Sequence, residues 1–124
     1  MEGKIMKQMI FIETGTGIDV HGQEVNEAAT RAVMDAIHYN SMPGIRTILP
    51  DGDINNMKVN VKLAIPKDLE KLQHDKIKAL IPYGQVTVEV VEGGMATTSG
   101  IFLEDQKDKN DLMYIVNAAV EVGY

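Results

Sequence analysis

Met9-Ile10-Phe11-Ile12-Glu13-Thr14-Gly15-Thr16-Gly17-Ile18-Asp19-Val20-His21-Gly22-Gln23 is the stretch whose reading decides the fold. Apolar residues at four consecutive positions, Met9 to Ile12, suit a strand covered on both faces, so Lys7 to Thr14 is read as the first strand. Gly15 to Gly22 then reads as a glycine-spaced turn. Beyond it Val25, Ala28, Ala29, Ala32, Val33, Ala36 and Ile37 recur at the spacing of one helix face, and their small side chains let that helix pack close to a sheet. Glu24 and Glu27 favour its positive end, and Asn40 to Gly44 closes it.

Working outward, Ile45 to Leu49 reads as a short strand closed by the turn Pro50-Asp51-Gly52-Asp53. Met57 to Ile65 alternates, with Val59, Val61, Leu63 and Ile65 on one face and Asn60, Lys62 and Ala64 on the other. Lys67 to Leu80 reads as a second, more polar helix with a possible interruption at Gln73-His74-Asp75, and Gln85 to Glu92 as another alternating strand. Met95 to Leu103 is hydroxyl-rich at its start and β-compatible at its end. Glu104 to Lys109 reads as a solvated charged loop. The spacing of Leu112, Ile115, Val116, Ala119 and Val120 predicts a last helix from about Asn110 to Val122. The order is a β-α-β-β-α-β core, ferredoxin-like or chorismate-mutase-like, with an extra strand and a C-terminal helix. It implies a single α+β domain over residues 1–124.

Helices on one side of such a sheet leave residues such as Val91 facing away, which predicts a homo-oligomer, with a ring trimer as the leading assembly. Composition narrows the rest. Eighteen acidic residues against twelve Lys and Arg give a net charge of -6, which argues against a nucleic-acid partner. The absence of cysteine excludes disulfides and thiolate ligands, so any metal must be held by His and carboxylates. No run reaches the roughly 20 apolar residues of a membrane helix, and Met1-Glu2-Gly3-Lys4 lacks the apolar segment of a secretory signal, so a cytoplasmic location away from membranes is expected.

Asp19 and His21 stand two apart in an extended segment, so their side chains point the same way. Three readings follow: two ligands for zinc, manganese or magnesium, with Glu13, Glu24, His38, His74 or a neighbouring subunit completing the set; a metal-free catalytic or binding pair in which Asp19 orients His21 as general base; or a purely structural cap. Backbone amides around Gly15, Thr16, Gly17 and Gly22, just before a helix, suit a small anionic metabolite. Val20 stands where a dinucleotide fingerprint needs its third glycine. Thr97-Thr98-Ser99-Gly100 is a second candidate element, with Thr98 and Ser99 as ligand-binding hydroxyls; local hydroxyl caps in a turn are the simpler explanation.

At Gly15, Gly17, Asp19, His21 and Gly22 the chain resembles a conserved-hypothetical bacterial and plant family marked by Gly-x-Gly-x-Asp-x-His-Gly near the N-terminus, a family without an assigned function. The same stretch is similar to the opening of the cyclodiphosphate synthases of isoprenoid synthesis, a resemblance that implies Asp19 and His21 as metal ligands. Their third ligand, a His before Ser-Asp-Gly-Asp, has Leu49 at its place here, before Pro50-Asp51-Gly52-Asp53. Thr98-Ser99-Gly100 resembles the Ser-Ser-Gly elements of ring-opening amidohydrolases, which would make Lys62 the activating lysine. The expectation is an enzyme acting on a small anionic metabolite at Asp19 and His21, or else a non-catalytic metabolite- or metal-binding oligomeric module.

Overall fold

The structure, a computed structural model, describes residues 6–38 and 40–124; the opening Met1 to Lys4 lies outside them. Strand β1 (Met9–Asp19) leads into helix α1 (Val25–His38) and a short helix α2 (Ile45–Ile48). Strand β2 (Lys58–Ile65), helix α3 (His74–Lys78) and strand β3 (Gln85–Glu92) form a parallel βαβ unit, followed by β4 (Met95–Thr98) and β5 (Leu112–Gly123). The protein is an α+β domain with a five-stranded mixed sheet in the order β1-β5-β2-β3. Strand β4 lies beside the first residues of β5, where β2 has already ended.

The sheet registers show which side chains share a face. Glu13, Val120, Val61 and Val88 form one row, and Gly15, Ala118, Leu63 and Val90 the next. This face is covered by α1, whose Ala28, Ala29, Ala32, Val33 and Ala36 are fully buried against it. Gly15 and Gly17 are strand residues beneath that helix. A Cβ on Gly15 would lie 2.4 Å from the Ala32 carbonyl oxygen, so glycine here is required by close packing of helix on strand. The intermediate rows, Thr14-Ala119-Lys62-Glu89 and Thr16-Asn117-Ala64-Val91, form the opposite face, which no helix among the described residues covers. Among the described residues no helix is long and apolar enough to cross a membrane.

The first strand runs on through Gly15 to Asp19, where the sequence reading placed a turn, because these residues pair with β5 as far as Tyr114, and four other elements differ from that reading. The C-terminal segment is the strand β5, not a helix. Its buried residues Tyr114, Val116, Ala118, Val120 and Val122 alternate strictly, and pairing with β1 on one side and β2 on the other fixes that period. Ile45 to Ile48 is one helical turn: Ile45 packs against the core and Leu49, the extended residue that ends the turn, is buried in it, leaving Ile48 outside. The predicted helix over Lys67 to Leu80 is only a 3-10 turn and α3; Asp68 in the left-handed region and extended Gln73 interrupt it. Strand β4 takes the hydroxyl-rich half of Met95 to Leu103.

Candidate functional site

The turn after β1 and the loop before β5 meet at one end of the sheet. Asp19 is the last residue of β1 and faces the covered side, where its carboxylate accepts the Glu24 N–H at 2.8 Å and an Arg31 N–H at 3.3 Å. It thus ties the strand to the start of α1. Glu24 in turn accepts the Asn26 N–H at 3.0 Å, and the two Asn26 bonds hold its carboxyl below the usual range.

His21 is not oriented by Asp19. Its Nδ1 lies 2.7 Å from Oδ2 of Asp108, a residue 87 positions away whose side chain is fully buried. The same carboxylate accepts N–H groups from Gly22 at 2.6 Å and Leu103 at 2.9 Å, and an amide N–H from Gln23 at 3.2 Å. Burial pushes the Asp108 carboxyl up, but those donors outweigh it and hold it at about 2. An ionised Asp108 only accepts, so Nδ1 of His21 carries the proton. Nε2 has no partner among the described residues, on a ring with 24% of its side-chain surface exposed.

Gln23 closes the arrangement. It is 3% exposed and adopts a positive φ of 46°, and it donates to the Leu112 carbonyl at 2.6 Å while accepting the Lys109 N–H at 2.8 Å. Exposed Lys107 and Lys109 flank Asp108. The loop from Glu104 to Lys109 is therefore anchored at its one buried carboxylate. Asp108 escaped the sequence reading because its neighbours are all charged or amide residues and nothing local distinguishes it from them.

The other candidates separate. The N–H of Thr16 is taken by Asp35 at 2.9 Å and that of Gly22 by Asp108, so neither amide points at a ligand. Thr98 and Ser99 lie at the same end of the sheet as His21. Thr98 donates to Asp111 at 2.6 Å and Ser99 lies 2.9 Å from the Ile101 carbonyl, which makes the segment a hydroxyl-capped turn. Lys62 pairs with Ala119 and Thr98 with Leu112 along β5, a separation of about 23 Å at strand rise, so the lysine does not approach these hydroxyls. His38 ends α1 and His74 begins α3. Among the described residues no three His, Asp or Glu side chains are grouped to hold a metal ion.

A one-sided mixed sheet with an aspartate-paired imidazole where β1 meets α1 defines the class of domain. The chain belongs to the family of conserved hypothetical proteins designated Lin0512_fam, whose model matches residues 9–122. It is also similar to the crystal structure of an FtsZ-like protein of unknown function from Nostoc punctiforme. The TM-score is 0.78, with 36% sequence identity and 93% of each chain covered. No curated protein matches the chain.

Proposed function

We propose that the protein is a small enzyme in which His21, held by Asp108, acts as general base on a small anionic metabolite. The observation that carries this reading is the 2.7 Å bond from Nδ1 of His21 to a buried, ionised carboxylate. Such a partner fixes the tautomer and leaves Nε2 as the proton acceptor, the arrangement general-base catalysis uses. Lys107 and Lys109 beside the dyad favour an anion electrostatically. In contrast to the sequence expectation, the proposal gives Asp19 a positioning role and assigns the second catalytic part to Asp108.

The test is a thermal-shift screen of phosphorylated and carboxylated metabolites, followed by turnover assays of those that bind. His21→Ala is expected to keep the fold and reduce turnover by about 100-fold or more, the usual contribution of a general base. If that variant melts at a much lower temperature and no metabolite shifts the wild-type melt, the pair is a structural clasp between two loops.

A second reading, a homo-oligomeric binding module, draws on the uncovered sheet face. Ile12, Ile18, Val91 and Met95 remain 54%, 38%, 39% and 56% exposed. The face also carries Lys62 and Glu89, 4.0 Å apart, so it offers both signs of charge beside apolar surface. A second copy of this chain fits such a self-complementary surface, and a trimer is the assembly expected. Sedimentation that finds a monomer at every concentration ends this reading.

A further inference from the structure

The far end of α1 holds a different kind of site. Two cavities of about 220 and 210 Å³ open beside it, and they share Glu13, Asn40 and Met42, so they are two arms of one hollow. Glu13 is 8% exposed, lies on the covered face of β1, and its carboxylate has no partner among the described residues. Around it the hollow is apolar, with Phe11, Ile45 and Ile48 in one arm and Met57, Leu80 and Val122 in the other.

The little surface Glu13 keeps lets water reach its carboxylate, since among the described residues no fully buried side-chain oxygen lacks a partner, but partial removal from water still penalises the charge. Burial accordingly pushes the Glu13 carboxyl up. Among the described lining residues there is no Lys, Arg or His to compensate, and Tyr83 is the only other titratable side chain. Asn40 donates one amide N–H to the Ala36 carbonyl, which leaves its own carbonyl oxygen as an acceptor. The hollow also sits at the C-terminal end of the 14-residue α1, where the helix dipole is negative. Glu13 is thus the one carboxylate among the described lining residues, and none of them is a cation.

We propose that this hollow binds a small amphipathic amine, its ammonium seated between the Glu13 carboxylate and the Asn40 carbonyl and its apolar body in the cavity against Phe11, Met42 and Ile45. An ammonium supplies the donors and the charge that Glu13 lacks, and a charge-assisted bond is stronger than a neutral one. The apolar walls select for a short aliphatic or aromatic body over a hydrophilic one. The site is separate from the His21 and Asp108 pair and stands whether or not that pair is catalytic.

The experiment compares n-hexylamine, 1-hexanol and hexanoate by calorimetric titration of the full chain near neutral pH. The amine is expected to bind about tenfold more tightly than the alcohol, and hexanoate more weakly than either. Glu13→Gln, which keeps the shape and removes the charge, should bring amine and alcohol within about twofold of each other while leaving the alcohol unchanged. In the wild type, lowering the pH from neutrality through the carboxylate range should weaken the amine as Glu13 protonates and leave the alcohol flat. Equal binding of amine and alcohol to the wild type, or no saturable binding of the amine below about 10 mM, overturns the proposal.

Discussion

Gly17 on β1 lies so close to the Ala28 carbonyl of α1 that a Cβ at Gly17 would sit 2.0 Å from that oxygen and 2.2 Å from the Ala32 nitrogen. Both atoms are backbone, so no side chain can turn away to make room. Gly17→Ala should therefore force α1 off the sheet and cost about 3 kcal/mol or more, at the upper end of overpacking penalties. Gly44 offers the control, since a Cβ there meets nothing within 4 Å and its φ of -94° suits any residue. Gly44→Ala should change stability by less than about 1 kcal/mol. Denaturant melts of the two variants measure the difference.

The same contact shows how far the sequence could be read. The alanine face of α1 was plain from its spacing, and so was the need for a close sheet beneath it. The glycines of β1 were read as a turn, because the spacing Gly15-x-Gly17 serves a turn or a strand equally well until the helix above is in place. β5 failed for a related reason: Leu112, Ile115, Val116, Ala119 and Val120 match a helix face, while Tyr114, Val116, Ala118, Val120 and Val122 match a strand face. Only the long-range pairing with β1 and β2 chooses between them. At the candidate site His21 was visible but its partner was not, since the bond spans 87 positions.

Asp19 holds the start of α1 through the Glu24 N–H at 2.8 Å and reaches Arg31 at 3.3 Å. Asp19→Ala leaves that N–H without its acceptor and should cost about 1 to 2 kcal/mol, the range for loss of a helix cap. Asp19→Asn retains an acceptor and should recover part of the loss. Neither change should alter the tautomer of His21, because Asp108 sets it. Nitrogen-15 shifts of the imidazole check that independence, and a tautomer change in Asp19→Ala would place Asp19 back in the dyad.

Tyr114, 5% exposed, donates its hydroxyl to Asp68 at 3.0 Å. Burial first, then that bond and the Asp68 charge, push its ionisation up to about 12 from an ordinary value of 10.0. The unfolded chain releases the proton first as pH rises, so the contribution is intact below pH 10 and is lost between about 10 and 12. Tyr114→Phe should cost about 1 kcal/mol at neutral pH for the missing hydrogen bond and flatten the alkaline decline. Melting temperatures measured across that range decide it.

Asp108 predicts the opposite limb of the pH profile. Its carboxyl is held at about 2 against an ordinary 3.8, so the folded state keeps the charge where the unfolded state has taken up a proton. The stability this provides is complete above about pH 4 and disappears as pH falls through about 2. Asp108→Asn retains the shape but substitutes an amide with one oxygen for a carboxylate serving His21, Gly22, Gln23 and Leu103. The variant should be less stable than wild type at neutral pH, and the gap between the two should close on acidification from about pH 4 to about pH 2. His21→Ala removes only one of the donors and should retain most of the acid-dependent slope. If Asp108→Asn instead keeps a constant deficit down to pH 2, its cost lies in lost shape or packing, and the carboxylate charge is not what holds the two loops together.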